Sequence, residues 1–404
     1  MHRIEKLHYA EGVSRLFVQI TIWLASAALC FGTSIERNPI KKKEAGSLFQ
    51  IHYGDNWGFM DRTGRVVIQP QFSDVGDFFD GLARVVVNAG KKYKSCFIDE
   101  TGKTAIPCTF DGAMDFSEGL APVRVGRLWG YIDRTGKMVI QPQFQGAAEI
   151  SDGLGRFLVW DRIQCSRQSY TKDDAPTYAF AMHDTTFQFT SGCFAEHQRF
   201  GFVDKKGQVV IKPEFFAAED FSEGLAAVRI EESATSKYAF IDKVGAIVIP
   251  PQFDQAYSFS EGLAAVETGF RAEGGKKVAG KWGFIDKSGK FVVSPRFELT
   301  MKFSEGLARA SEDLGSWGFI DRTGRFLIAP KYSQAWDFCE GLAPVWPADG
   351  GFVYIDRTGK QVLKPKGGRC AFSDGLTVAG EYGKRVYVDR NGKAVGPYEV
   401  TPGY

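Results

Sequence analysis

The stretch Trp57-Gly58-Phe59-Met60-Asp61-Arg62-Thr63-Gly64-Arg65-Val66-Val67-Ile68 decides the reading of the whole chain, because it recurs with variations along most of its length. Trp129-Gly130-Tyr131-Ile132-Asp133-Arg134-Thr135-Gly136 repeats it, as do Trp282-Gly283-Phe284-Ile285-Asp286 and Trp317-Gly318-Phe319-Ile320-Asp321. An aromatic run leads into Asp-x-x-Gly and a β-branched run leads out, which predicts a β-hairpin. Asp at the first turn position can hydrogen-bond the backbone ahead of it, and Gly at the fourth takes φ > 0 without steric cost. The turn pairs read this way include Asp61 with Gly64, Asp133 with Gly136, Asp286 with Gly289, and Asp321 with Gly324. Counting through the chain gives nine such hairpins, with aspartates at 61, 99, 133, 204, 242, 286, 321, 356 and 389.

A second motif follows every hairpin but the last, as in Phe221-Ser222-Glu223-Gly224-Leu225-Ala226-Ala227-Val228. Its glycine lies 20 residues after the hairpin aspartate in seven cases and 19 in the eighth. Between them stands Ile-x-Pro-x-Phe, as in Ile140-Gln141-Pro142-Gln143-Phe144, where proline removes a ladder donor and is expected to end the strand. Each unit therefore reads as three short strands, with a fourth conceivable after Pro-x-Phe. Length varies only between the Leu-Ala-x-Val strand and the Trp-Gly strand, so insertions map to one connection. The large insert, about 157–199, holds Cys165, His183, Cys193 and His197 with Asp173, Asp174, Asp184 and Glu196.

These motifs at fixed spacing resemble the WG repeat family of bacterial proteins over roughly residues 47 to 396. Ser95-Cys96, Phe200-Gly201, Tyr238-Ala239, Phe352-Val353 and Arg385-Val386 depart from the Trp-Gly pair. The resemblance implies repeated modules, often in exported or surface-associated proteins, with no established catalytic mechanism or shared ligand. The expected fold is all-β: nine units of about 35 residues in an open twisted solenoid, with a closed propeller-like ring as the alternative. A single unit cannot bury its Phe, Ile and Leu side chains alone, so neighbours must stack.

The N-terminus differs in kind. Arg3, Lys6 and Arg15 precede an apolar run from Leu16 to Gly32, a pattern that predicts a secretory signal or an uncleaved anchor over 1–32. Residues 33–46 read as a linker and 397–404 as a tail. Export is the expected localisation, with membrane attachment only through that first segment. Net charge is +2 with both signs interspersed, which is not the basic stripe of a nucleic-acid binder.

Chemistry is sparse. Nine solitary turn aspartates lack the density of a calcium loop. The acids before Gly-Leu repeat too regularly to be general acids, since a catalytic site is a unique cluster. No phosphate loop, G-x-S-x-G or H-E-x-x-H is present. The 27 residues between Cys165 and Cys193 fit no paired-cysteine zinc signature. Setting aside Cys30, six cysteines admit three disulfides: Cys96 with Cys108 across one hairpin, Cys165 with Cys193 in the insert, and Cys339 with Cys370 between adjacent units. Trp57, Trp129, Trp282 and Trp317 read as core before they read as a carbohydrate ladder. The expected function is non-catalytic binding or scaffolding of a protein or glycan partner, without cofactor or metal. The alternative is an enzyme or metal protein whose site lies in the insert.

Overall fold

A computed structural model describes residues 48–90, 92–160, 198–231, 236–273, 276–365, 372–381 and 384–396, with four short strands between 163 and 195. Its described residues are all-β, in small antiparallel sheets joined in chain order. Units seven and eight share one seven-stranded sheet through the long strand Phe326–Ala335, and units two to six have four strands each, one more than the three of the sequence reading. In the fifth unit these are Ala217–Ala218, Ala226–Arg229, Tyr238–Ile241 and Ile247–Phe253, paired in that order. The first and ninth units have three strands each.

The expectation that proline ends the strand is corrected. Gln361–Leu363 in the eighth unit stops before Pro365, but Val66–Phe72 runs straight through Pro70, as Met138–Phe144, Val209–Phe215 and Phe291–Phe297 run through their prolines. Register explains why: Phe59 faces Ile68 but Trp57 faces Phe72, so the last strand carries extra residues between the two pairs. Proline sits in this bulge, where the ladder needs no donor.

The same bulge explains the Trp-Gly pair. A Cβ on Gly58 would lie well inside 3.0 Å of Ile68 O and Pro70 N, and Gly130, Gly201, Gly283 and Gly318 meet the same obstruction. Backbone cannot yield there as a side-chain tip can. Units 8 and 9 carry Val353 and Val386 at the glycine's place, and their last strands shrink to Gln361–Leu363 and Ala394–Val395.

The core lies between sheets. Each hydrophobic cluster mixes two neighbouring units, such as Phe202 and Ile211 of the fourth with Phe221 and Val228 of the fifth. The Trp-Gly-Phe aromatic of one unit meets the Phe-Ser-Glu-Gly phenylalanine of the next: Phe59 on Phe78, Phe97 on Phe116, Phe240 on Phe259 and Phe319 on Phe338, with centroids 4.8–5.1 Å apart. Tyr131 needs extra room. A Cβ on Gly155 would stand 2.7 Å from its hydroxyl, which donates to Ala148 O at 2.7 Å. Gly155→Ala is therefore expected to cost about 1–3 kcal/mol through overpacking. The cost should fall but not vanish in Tyr131→Phe/Gly155→Ala, since Ile150 Cδ1 still stands 2.8 Å from the new Cβ, as a denaturation double-mutant cycle would report.

The open array is also corrected, because its two ends meet. Phe49 packs on Tyr387 with centroids 5.4 Å apart, and Phe49, Ile51, Met60 and Leu376 share one buried cluster. Arg62 pairs with Asp374 at 3.2 Å. The first and ninth units thus pack on one another, as the ring named as the alternative from sequence requires, although no strand is shared between them.

The N-terminal segment 1–47, the linker and the tail lie outside the described residues. The large insert is narrower than 157–199, since the flanking strands run Leu154–Trp160 and Gln198–Asp204.

Candidate functional site

Antiparallel order divides the connections of the ring between two faces. Turns between first and second strands and between third and fourth strands share one face; the second-to-third connections occupy the other.

The first face is uniform. Asp61 Oδ1 accepts from Thr63 N at 2.9 Å, Thr63 Oγ1 at 2.6 Å and Arg65 N at 3.1 Å, while Gly64 N donates back to Asp61 O. The Thr63 hydroxyl is the largest influence holding the Asp61 carboxyl down to about 2. Asp99, Asp133, Asp286 and Asp356 are lowered likewise, with the Thr or Ser hydroxyl two residues on as first cause. A carboxyl depressed in the folded state contributes stability above its unfolded value near 4, and that contribution is lost as pH falls toward 2. Denaturation midpoints should therefore decline as pH falls below 4 and hold from 5 to 7. Unchanged midpoints on acidification would contradict this role.

The acids before Gly-Leu have a structural task on the same face. Asp80, Glu118, Asp152, Glu223, Glu261, Glu305, Glu340 and Asp374 all hold φ between 50° and 56°, the left-handed region that side chains seldom adopt. Each forms a two-residue primed turn with its glycine. The carboxylate then accepts the amide of the equivalent glycine in the next unit: Gly119 N on Asp80 at 3.0 Å, Gly262 N on Glu223 at 3.0 Å, Gly341 N on Glu305 at 2.8 Å. A hairpin cation from that next unit joins it, as Lys205 joins Glu118 at 2.8 Å and Arg390 joins Glu340 at 2.9 Å. Ser222, Ser260 and Ser304 hydroxyls add donation to Phe259, Phe303 and Phe338 carbonyls at 2.7–2.8 Å. Arg62 on Asp374 is the same latch at the seam. Ser222, Ser260 and Ser304 and the cations Arg62, Lys205 and Arg390 stand in the repeated motifs, but only neighbouring units give them partners.

The other face is where units differ. Its connections range from Gly54-Asp55 in the first unit to residues 161–197 in the fourth, with a strand pair Arg271–Glu273 and Lys276–Val278 in the sixth. Local acids brace them. Asp111 accepts from Lys94 Nζ and from Gly126 N, both at 2.7 Å, and the Lys94 bond is the first cause of its lowered carboxyl. Asp254 accepts Phe270 N at 3.0 Å and pairs with Lys237. Glu267 accepts Gly280 N at 2.8 Å, and burial pushes its carboxyl up.

Among the sequence-predicted residues, Trp129, Trp282 and Trp317 are buried at 5%, 7% and 1% exposure, as core requires; Trp57 is half-buried beside His52. Cys96 and Cys108 form a disulfide. Cys165 stands directly opposite Cys193 in the pair Ile163–Cys165 and Cys193–Ala195. Cys339 has a free thiol, pushed up to about 11 chiefly by burial, and Cys370 lies outside the described residues. His183, His197, Asp173, Asp174, Asp184 and Glu196 also lie outside them. Among the described residues no three His, Cys, Asp or Glu side chains are grouped to hold a metal, and no helix is long and apolar enough to cross a membrane.

Comparison with solved structures finds a similar fold in the crystal structure of the eukaryotic initiation factor, at 8% identity and TM-score 0.54, covering 89% of this chain and 96% of that one. Pyrococcus horikoshii acylaminoacyl peptidase matches at 13% identity and TM-score 0.37, over 74% of this chain and 53% of that one. BamB from Moraxella catarrhalis matches at 12% and 0.33, over 85% and 94%. At such identities the likeness concerns fold alone, and only the first is close enough to bear on it. No curated protein matches the chain in sequence. The WG containing repeat model matches seven times, at residues 57–93, 97–129, 129–159, 200–232, 238–269, 282–313 and 317–345. These segments make up more than half of the chain, and the protein belongs to the WG containing repeat family.

Proposed function

We propose that the protein is an exported, non-catalytic binding or scaffolding ring that presents its variable face to a protein or glycan partner. One observation carries this reading: connection length varies only on that face, whereas the opposite face is taken up by unit-to-unit latches. Recognition is commonly placed on loops held by a rigid scaffold, and repeat arrays offer extended surfaces of this kind. The N-terminal segment 1–32 supplies the export signal or anchor in this proposal.

The test compares the exported protein with a variant in which residues 161–197 are replaced by a two-residue turn like Gly126-Arg127. A second variant, Lys103→Glu/Lys360→Glu, alters the hairpin face. Binding to a panel of cell-envelope glycans and cross-linked surface proteins should fall in the first and persist in the second, with cooperative unfolding retained in both. Full binding by the trimmed ring, together with loss in the hairpin variant, would move the site to the latch face. Cys165 opposite Cys193 leaves the second reading, a metal or enzyme site in the insert, a concrete form. Loss of bound zinc or of a hydrolytic activity on the same deletion would favour it.

A further inference from the structure

Unit 2 departs from the others at two coupled places. Cys96 occupies the position of the Trp-Gly glycine, and Cys108 occupies the position of the bulge proline, since Ile106-Pro107-Cys108-Thr109-Phe110 aligns with Ile68-Gln69-Pro70-Gln71-Phe72. The register is unchanged: Phe97 faces Ile106 and Ser95 faces Phe110, as Phe59 faces Ile68 and Trp57 faces Phe72. The two cysteines therefore meet where the other units bring a glycine against a bulge, and their Cα atoms are 4.1 Å apart.

We propose that the Cys96–Cys108 disulfide substitutes covalently for the glycine–proline crossing, making unit 2 the redox-dependent joint of the ring. The sizes allowed at this position support the substitution. Glycine accompanies a full last strand in five units, and alanine does so in the fifth, where Ala239 sits beside Ile247–Phe253. Valine accompanies a shortened one in units 8 and 9. A cysteine exceeds alanine by a sulfur, yet Thr104–Phe110 keeps all seven residues. Bonded sulfurs stand about 2 Å apart, whereas free thiols need van der Waals separation, roughly 3.5 Å or more. Cys96 is only 1% exposed, so its sulfur has little room to swing away.

Reduction by a dithiol balances simply. A reductant thiolate attacks one Sγ, forms a mixed disulfide and expels the other Sγ as thiolate. The second reductant thiol then closes the reductant's own disulfide and releases the remaining cysteine. Two electrons and two protons pass to the protein. The two freed sulfurs separate, Thr104–Phe110 lifts from Tyr93–Ile98, and Ile106 leaves its seat against Gly136 of unit 3.

The experiment is amide hydrogen exchange on the full chain with and without dithiothreitol, reading 104–110 against 66–72 and 209–215. In the oxidised protein the three strands should exchange alike; on reduction 104–110 should exchange about tenfold faster or more while the others hold. Cys96→Gly/Cys108→Pro, which restores the pattern of the other units, should be protected with or without reductant, and Cys96→Ala/Cys108→Pro guards against a folding failure of the first variant. Unchanged exchange of 104–110 on reduction would overturn the proposal. So would equal acceleration of all three strands, or redox sensitivity persisting in the double variants.

Discussion

Gly130→Val is expected to destabilise the protein by roughly 3 kcal/mol or more, at the upper end of overpacking substitutions and beyond. The valine Cβ would press on Ile140 O and Pro142 N, which belong to the bulged strand itself. No rotamer change relieves a clash with backbone, so the strand Met138–Phe144 must open past Ile140, as the last strands of units 8 and 9 are shortened. Opening would expose Phe144, which stacks on Phe157 of the next unit at 4.2 Å, and so damage two units together. Chemical denaturation read by near-ultraviolet dichroism would measure the loss. Ala239→Gly at the equivalent place should change stability by less than about 1 kcal/mol. A wild-type midpoint for Gly130→Val would mean that the bulge does not dictate glycine.

The seam of the ring gives the second large effect. Phe49→Ala is expected to cost about 3–5 kcal/mol, the usual range for removing a buried phenylalanine. Arg62→Ala should cost under about 1 kcal/mol, because Arg62 is 60% exposed and surface ion pairs contribute little. That outcome would place the seam's stability in apolar burial and not in the Arg62–Asp374 pair. Most other units have alanine at the Phe49 position, as with Ala83, Ala121 and Ala226. Gly396 and Met60 make a second complementary swap, since both sites otherwise favour isoleucine or valine, and a Cβ on Gly396 would stand 2.7 Å from Met60 Sδ. In Phe49→Ala, hydrogen exchange should rise first in Phe49–Met60 and Leu376–Asp389, and small-angle scattering should show a larger radius of gyration. Acceleration spread evenly over all units would argue against a discrete seam.

Much was legible from sequence. The hairpin at Asp61-Gly64 needed only turn chemistry, because its bonds run within five residues. The nine-fold count, the placement of insertions and the burial of Trp317 followed from repetition and apolar patterning. Units 8 and 9 were recognisable by spacing even without Trp-Gly. Sequence reasoning went wrong where a residue's partner lies in another strand or unit. Pro70 looked like a strand end because its bulge exists only against Trp57 and Phe59. Gly58 had no reading of its own in the sequence, because Ile68 O, the atom that excludes a side chain there, is set over it only by the bulge.

The candidate face divides the same way. That the second-to-third connections vary was visible in the spacing of the aspartates; that they share one face followed from antiparallel pairing. The role of Glu223 and its equivalents was hidden, since the amide that Glu223 binds belongs to Gly262, 39 residues on. Closure was hidden for the same reason. Local spacing carries no information about contacts such as Phe49 with Tyr387, which depend on how all nine units stack. The sequence alone thus determined the unit, its turns and its count, because these rest on interactions within a few residues. Only the tertiary structure decided that the units latch, that glycine opposes a bulge and that the two ends join, because those contacts form when separate sheets bury their faces against one another.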